Sequence, residues 1–154
     1  MARYILLCGA GAAIASMGAT AALARMEGKP ALQPINSSSH WLWGEAVGKN
    51  TRLDAAHTGI GAATNLGAGL FWGTVLGFIL DSKHPTLKQT VGYGIGVGAV
   101  AGALDYGIMP KRLTPGWELA LSRRSVVLTF GAMTAGLVMG GLTARALEDS
   151  RGSE

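Results

Sequence analysis

Charge is scarce in this sequence. Asp, Glu, Lys and Arg make up 14% of its 154 residues, against about 25% in an ordinary soluble domain. Aromatic residues amount to only 6%, so a core built in water would be poorly filled and its surface poorly solvated. Cysteine occurs once, as Cys8 inside the first apolar run, which excludes an intrachain disulfide and a cysteine metal cluster. Patterns that hold cofactors are missing too. Gly92-Tyr93-Gly94 sits mid-run with no following Lys-Ser/Thr pair and no preceding strand, so it is no phosphate loop. Gly9 to Gly11 lies near the start of the first apolar run, not in a strand-turn-helix unit, which argues against a dinucleotide site. No serine occupies a Gly-x-Ser-x-Gly elbow, and His84, beside Pro85 in a tight polar turn, has nothing around it that speaks for haem. We therefore expect a protein that is not an enzyme and carries no metal or cofactor.

What the sequence has is glycine and long apolar runs. Hydrophobic residues make up 49%, glycine contributes 24 positions and mean hydropathy is +0.32. In lipid this mixture is sensible, because each helix keeps its backbone hydrogen bonds to itself and small residues let helices approach closely. The central run, residues 57–80, reads HTGIGAATNLGAGLFWGTVLGFIL with no formal charge if His57 is neutral. A helix of that length crosses a hydrocarbon core of about 30 Å. Residues 4–23 form a similar run between Arg3 and Arg25; Ala22-Leu23-Ala24 also suits signal cleavage, but Ser16, Thr20 and many small residues read as a packed helix. Residues 88–108 and 125–146 supply two more. The expected fold is an all-α membrane protein: one transmembrane domain, four spans in an up-down-up-down bundle, and a polar tail over 147–154.

Small residues recur at helical spacing in these runs. Gly61, Asn65, Gly69, Gly73 and Gly77 line one side of the second span, Gly94, Gly98 and Gly102 one side of the third, and Ala132, Gly136, Gly140 and Ala144 one side of the fourth. A second row, Ala99, Ala103 and Gly107, also runs along the third span. Such rows point to tight helix packing, within one chain or between chains.

Two polar intervals separate the spans on one side. In the first, Asn36 or Ser37 is a candidate cap for a short helix through Val47, with Trp41 and Trp43 as anchors at headgroup depth. In the second, Thr114-Pro115 suits the start of another short interfacial helix containing Trp117 and Glu118. On the other side, Pro85 ends the second span and short connections predict antiparallel neighbours. The larger intervals hold Arg25, Lys29, Lys49, Arg52, Lys111, Arg112, Arg123 and Arg124, eight basic residues against five on the opposite side. That balance favours the larger loops in the cytoplasm. The net charge of +4 sits at the edges of apolar runs, so its counterpart is membrane lipid headgroups and not nucleic acid.

A few polar residues invite chemistry. Asp54 and His57 share a helical face at the mouth of the second span. With His40 and Glu45 they form a candidate polar site that binds a metal or relays a proton, or the Asp54 carboxylate is simply favoured at the helix start and holds the imidazole at the headgroup boundary. Asn65, an amide inside an apolar helix, needs a partner on another helix or a polar cavity. Asp105 is placed to pair with Lys111 or Arg112, or to take part in a proton relay.

The segments PINSSSHWLWGEAVG, DAAHTGIGAATNLGAGLFW and DYGIMPKRLTPGWELALSRRS resemble small multi-pass inner-membrane proteins of Gram-negative bacteria, distantly of the YagU type. That resemblance implies a bacterial inner-membrane location and carries no catalytic residues. The expected role is a packing or accessory protein that forms a homo-oligomer or joins a larger membrane assembly. The alternative is a small channel or transporter with a polar path near Asn65 and His57.

Overall fold

The computed structural model describes residues 1–83 and 85–150; His84 and residues 151–154 of the polar tail lie outside the described residues. Among the described residues the chain is all-helical, with no strand. Four helices are long: α1 (Ala2–Met26), α4 (Ile60–Lys83), α5 (Leu87–Gly107) and α6 (Arg123–Asp149). The short α2 (Gln33–Ser37) and α3 (His40–Trp43) lie between α1 and α4. Three helical stretches are long and apolar enough to cross a membrane: Ala2–Met26, Ala55–Lys83 and Arg123–Asp149. Glycine, tyrosine and the polar residues at both ends of α5 dilute its hydropathy below theirs.

Local chemistry sets the boundaries. Pro85 follows the end of α4, and α5 restarts at a capping box in which Thr86 Oγ1 accepts the Gln89 N–H while the Gln89 side chain accepts the Thr86 N–H. Ser122 caps α6 by accepting the Ser125 N–H. α6 continues past the expected limit at residue 146 to Asp149, so part of the supposed tail is helical. The Tyr4 hydroxyl donates to Glu148 Oε2 at 2.7 Å and holds that last turn.

The rows of small residues decide which helices meet. Gly69, Gly73 and Gly77 of α4 lie against Ile5, Gly9 and Ala13 of α1. Gly136 and Gly140 of α6 lie against Gly11, Ala15 and Leu7 of the same helix. A Cβ placed on Gly73 would sit 2.6 Å from Gly9 Cα, closer than any real side chain tolerates, so this crossing is backbone against backbone. α1 is thereby clasped between α4 and α6. Gly94, Gly98 and Gly102 of α5 take Val138, Thr134 and Phe130 of α6. The falling numbers on one helix against rising numbers on the other make each of these pairs antiparallel. Ala132 is half-buried in α6, and Ala144 is fully buried in the core.

The short turn between α4 and α5 predicts that these two are antiparallel neighbours, but they touch only lightly, and α5 packs chiefly on α6. The reason is complementarity: Gly94 and Gly98 receive side chains from α6, whereas Gly67 of α4 has nothing within 4 Å of where a Cβ would be. The shared core draws on all four long helices through Cys8, Ala12, Trp72, Leu76, Leu80, Val97, Met133 and Leu137. Large apolar side chains such as Leu6, Ile14, Phe71, Phe78, Ile95, Val127 and Met139 point outward, an arrangement suited to a lipid surround.

Candidate functional site

Both polar intervals fold onto the same end of the bundle and onto each other. Lys29 Nζ donates to the Ala120 carbonyl at 2.6 Å, and Arg112 Nε donates to the Trp41 carbonyl at 2.9 Å. Asn36 is completely buried and fully satisfied: its amide donates to the Asn50 and Arg52 carbonyls, and its oxygen accepts from the Thr58 hydroxyl at 2.7 Å. It lies inside α2 and caps nothing, which corrects the expectation of a helix starting at Asn36 or Ser37. Serine chemistry explains the difference. The hydroxyls of Ser37, Ser38 and Ser39 donate back to the carbonyls of Pro34 and Asn36, and such back-bonding favours short, broken turns. Gly44, at φ 81°, then ends α3.

The second expected interfacial helix is also shorter, a single 3-10 turn over Trp117–Leu119. Thr114 does not cap it. Its hydroxyl lies 2.8 Å from the Lys111 carbonyl and 2.5 Å from Glu118 Oε1. Gly116 precedes the turn at φ 79°, where a Cβ would meet His40 Nδ1 and the Ser37 carbonyl. Only glycine fits both the conformation and the space.

Asp54 and His57 do meet. The carboxylate accepts the His57 backbone N–H at 2.7 Å and lies 2.9 Å from His57 Nδ1, capping the π turn Ala55–Gly59 that opens the central helix. The His57 N–H, helped by the imidazole, holds the Asp54 carboxyl below the usual range. Trp43 packs its ring 5.8 Å from that of His57. His40 is elsewhere, buried with its ring nitrogens 3.1 Å from the Ser37 carbonyl and 3.0 Å from the Lys111 carbonyl. Glu45 is exposed on the turn Glu45–Lys49. The four residues therefore do not form one cluster, and among the described residues no three His, Cys, Asp or Glu side chains converge.

Asn65 lies in the bundle, 6% exposed. Its Nδ2 donates to the Gly61 carbonyl one turn back, and its Oδ1 accepts from Trp117 Nε1 at 3.2 Å. The partner is thus a loop tryptophan, not another long helix. Asp105 makes neither of the ion pairs expected of it, since Arg112 is engaged by the Trp41 carbonyl and no ion pair with Lys111 forms. Asn65 and Asp105 instead share a cavity of about 450 Å³ between α4 and α5, while His57 faces a separate cleft with Trp43, Lys49 and Arg52. The sequence offers no local sign of the burial of Asn36 or His40, because each is satisfied by backbone carbonyls supplied by other turns.

No family model, no curated protein and no solved structure matches this chain. The class defined by the fold is, among the described residues, an all-helical protein with three helices long and apolar enough to cross a membrane.

Proposed function

We propose that the chain is a multi-pass protein of the bacterial inner membrane whose four long helices cross in alternating directions. Its role is that of a non-enzymatic packing or accessory subunit, associating laterally with a second copy or with a larger assembly. One observation carries this reading: the outer face of α5 is small and uncovered. A Cβ on Gly92, Gly96 or Gly107 would meet nothing within 4 Å, and Ala99 and Ala103 are exposed on the same face. The inward row of Gly94, Gly98 and Gly102 is already occupied by α6, so the second row is the one left for an outside partner. Of the four long helices, α5 is also the one without a stretch apolar enough to cross a membrane by itself. A neighbouring protein helix covers such a face better than acyl chains do, because small residues let backbones close up. The YagU-type resemblance supports the same membrane.

Crosslinking tests the reading directly. Cys8 is fully buried, so an Ala99→Cys chain presents one reactive thiol on the α5 face. Oxidation in native membranes is expected to give a disulfide-linked dimer or a discrete adduct with a neighbour, and Gly96→Leu is expected to abolish it. Recovery of the monomer alone, both in membranes and after gentle extraction, overturns the proposal.

A further inference from the structure

The cavity between α4 and α5 is independent of the α5 outer face. Its floor is buried: Ser16 from α1, Asn65 and Trp72 from α4, Met133 from α6, and Thr114 and Trp117 from the loop that closes its end. Its rim is exposed and apolar, formed by Gly67, Ala68, Phe71, Met109 and Leu113. The mouth therefore opens sideways, between α4 and the segment that follows α5, and faces the surround of the bundle.

Charge on the wall is of one sign. Asp105 is the single charged residue among those lining the cavity, and no cation of the chain pairs with it among the described residues. A second carboxylate, Glu118, stands just behind the wall, 2.5 Å from the Thr114 hydroxyl. Trp72, Trp117 and Phe71 contribute aromatic surface, which attracts cations through the ring faces. A volume of about 450 Å³ suits a small organic molecule.

We propose that this cavity is a binding site for a hydrophobic organic cation, an amphiphile whose positive centre sits at Asp105 and whose apolar groups fill the space against Trp72, Trp117 and Phe71. An apolar mouth admits such a molecule from the lipid side. An anion of the same shape is repelled by Asp105 and Glu118, and a neutral chain gains nothing from either.

The test uses the full chain in lipid nanodiscs, with empty nanodiscs correcting for partition into lipid. Tetraphenylphosphonium is the probe, and tetraphenylborate, matched in shape and opposite in charge, is the control. Saturable, protein-dependent binding of the phosphonium alone is expected. Asp105→Asn should weaken it at least about tenfold, as loss of one partner of a shielded charge pair does. Gly67→Trp, at a position with open space around it, should block the mouth and weaken it comparably without unfolding the bundle. Equal binding of the borate overturns the proposal, as does unchanged phosphonium affinity in a folded Asp105→Asn chain. If that variant fails to fold, undiminished binding by Gly67→Trp overturns it as well.

Discussion

A glycine where two helices cross and a glycine on open surface tolerate opposite things. At Gly73 and Gly136 a methyl group would run into the backbone of Gly9 and Gly11. Gly73→Ala and Gly136→Ala should each cost about 1–3 kcal/mol, the usual penalty for overpacking, seen as a lowered thermal midpoint in detergent. Gly67→Ala, with open space around it, should leave that midpoint unchanged or slightly raised. Glu27 behaves differently. The Ser125 hydroxyl, at 2.6 Å, then Ser122 and then Lys29 hold its carboxyl down to about 2 from an ordinary 4.5. A carboxyl lowered by folding stabilises the native state above its unfolded value, and that stabilisation is lost as pH falls from about 4.5 towards 2. Glu27→Gln should therefore lose about 1–2 kcal/mol near neutral pH, in the range of hydrogen bonds to a charged group. The gap between its unfolding midpoint and the wild-type one should close towards pH 2. The glycine spacing was readable in advance because helical periodicity is local. The Glu27 contacts were not, because they join the end of α1 to the start of α6 across nearly a hundred residues.

At the scale of elements, the long helices were legible and their partners were not. Apolar runs and Pro85 placed four helices within a few residues of where they lie. Periodicity could not say that Gly69 and Gly136 both face α1, since a row of small residues carries no address. The short elements were harder. Ser37 to Ser39, Gly44 and Gly116 break the connecting segments into turns, and those turns are held by contacts between the two intervals. The bond from Trp117 Nε1 to Asn65 Oδ1 at 3.2 Å joins one such turn to the second turn of α4. Asn65→Val leaves the buried indole N–H without its acceptor and should cost about 1–3 kcal/mol. Trp117→Phe removes the donor and should cost less than the sum implies when combined with it. A double-mutant cycle on unfolding free energy should return a coupling of about 0.5–1.5 kcal/mol. Strict additivity of the two changes would show that this contact does not tie the loop to the helix.

For the whole molecule, the two ends of the bundle differ in a way that bears on orientation. One end carries the folded polar intervals with their eight basic residues. The other is closed by short contacts: the Met1 ammonium on Asp81, Tyr4 on Glu148, and the Arg145 guanidinium donating to the Pro85 carbonyl. If the basic end faces the cytoplasm, as the excess of Lys and Arg favours, Glu45 lies inside the cell and Ser82 outside. Both are exposed, and the one native thiol, Cys8, is fully buried. Single Glu45→Cys and Ser82→Cys chains can therefore be compared with an impermeant maleimide on spheroplasts. Ser82→Cys should label at once, and Glu45→Cys only after the inner membrane is opened. The reverse pattern would invert the orientation while keeping the bundle. Labelling of both positions before opening would mean that the four long helices do not separate two compartments, and the membrane-spanning reading would fall with it.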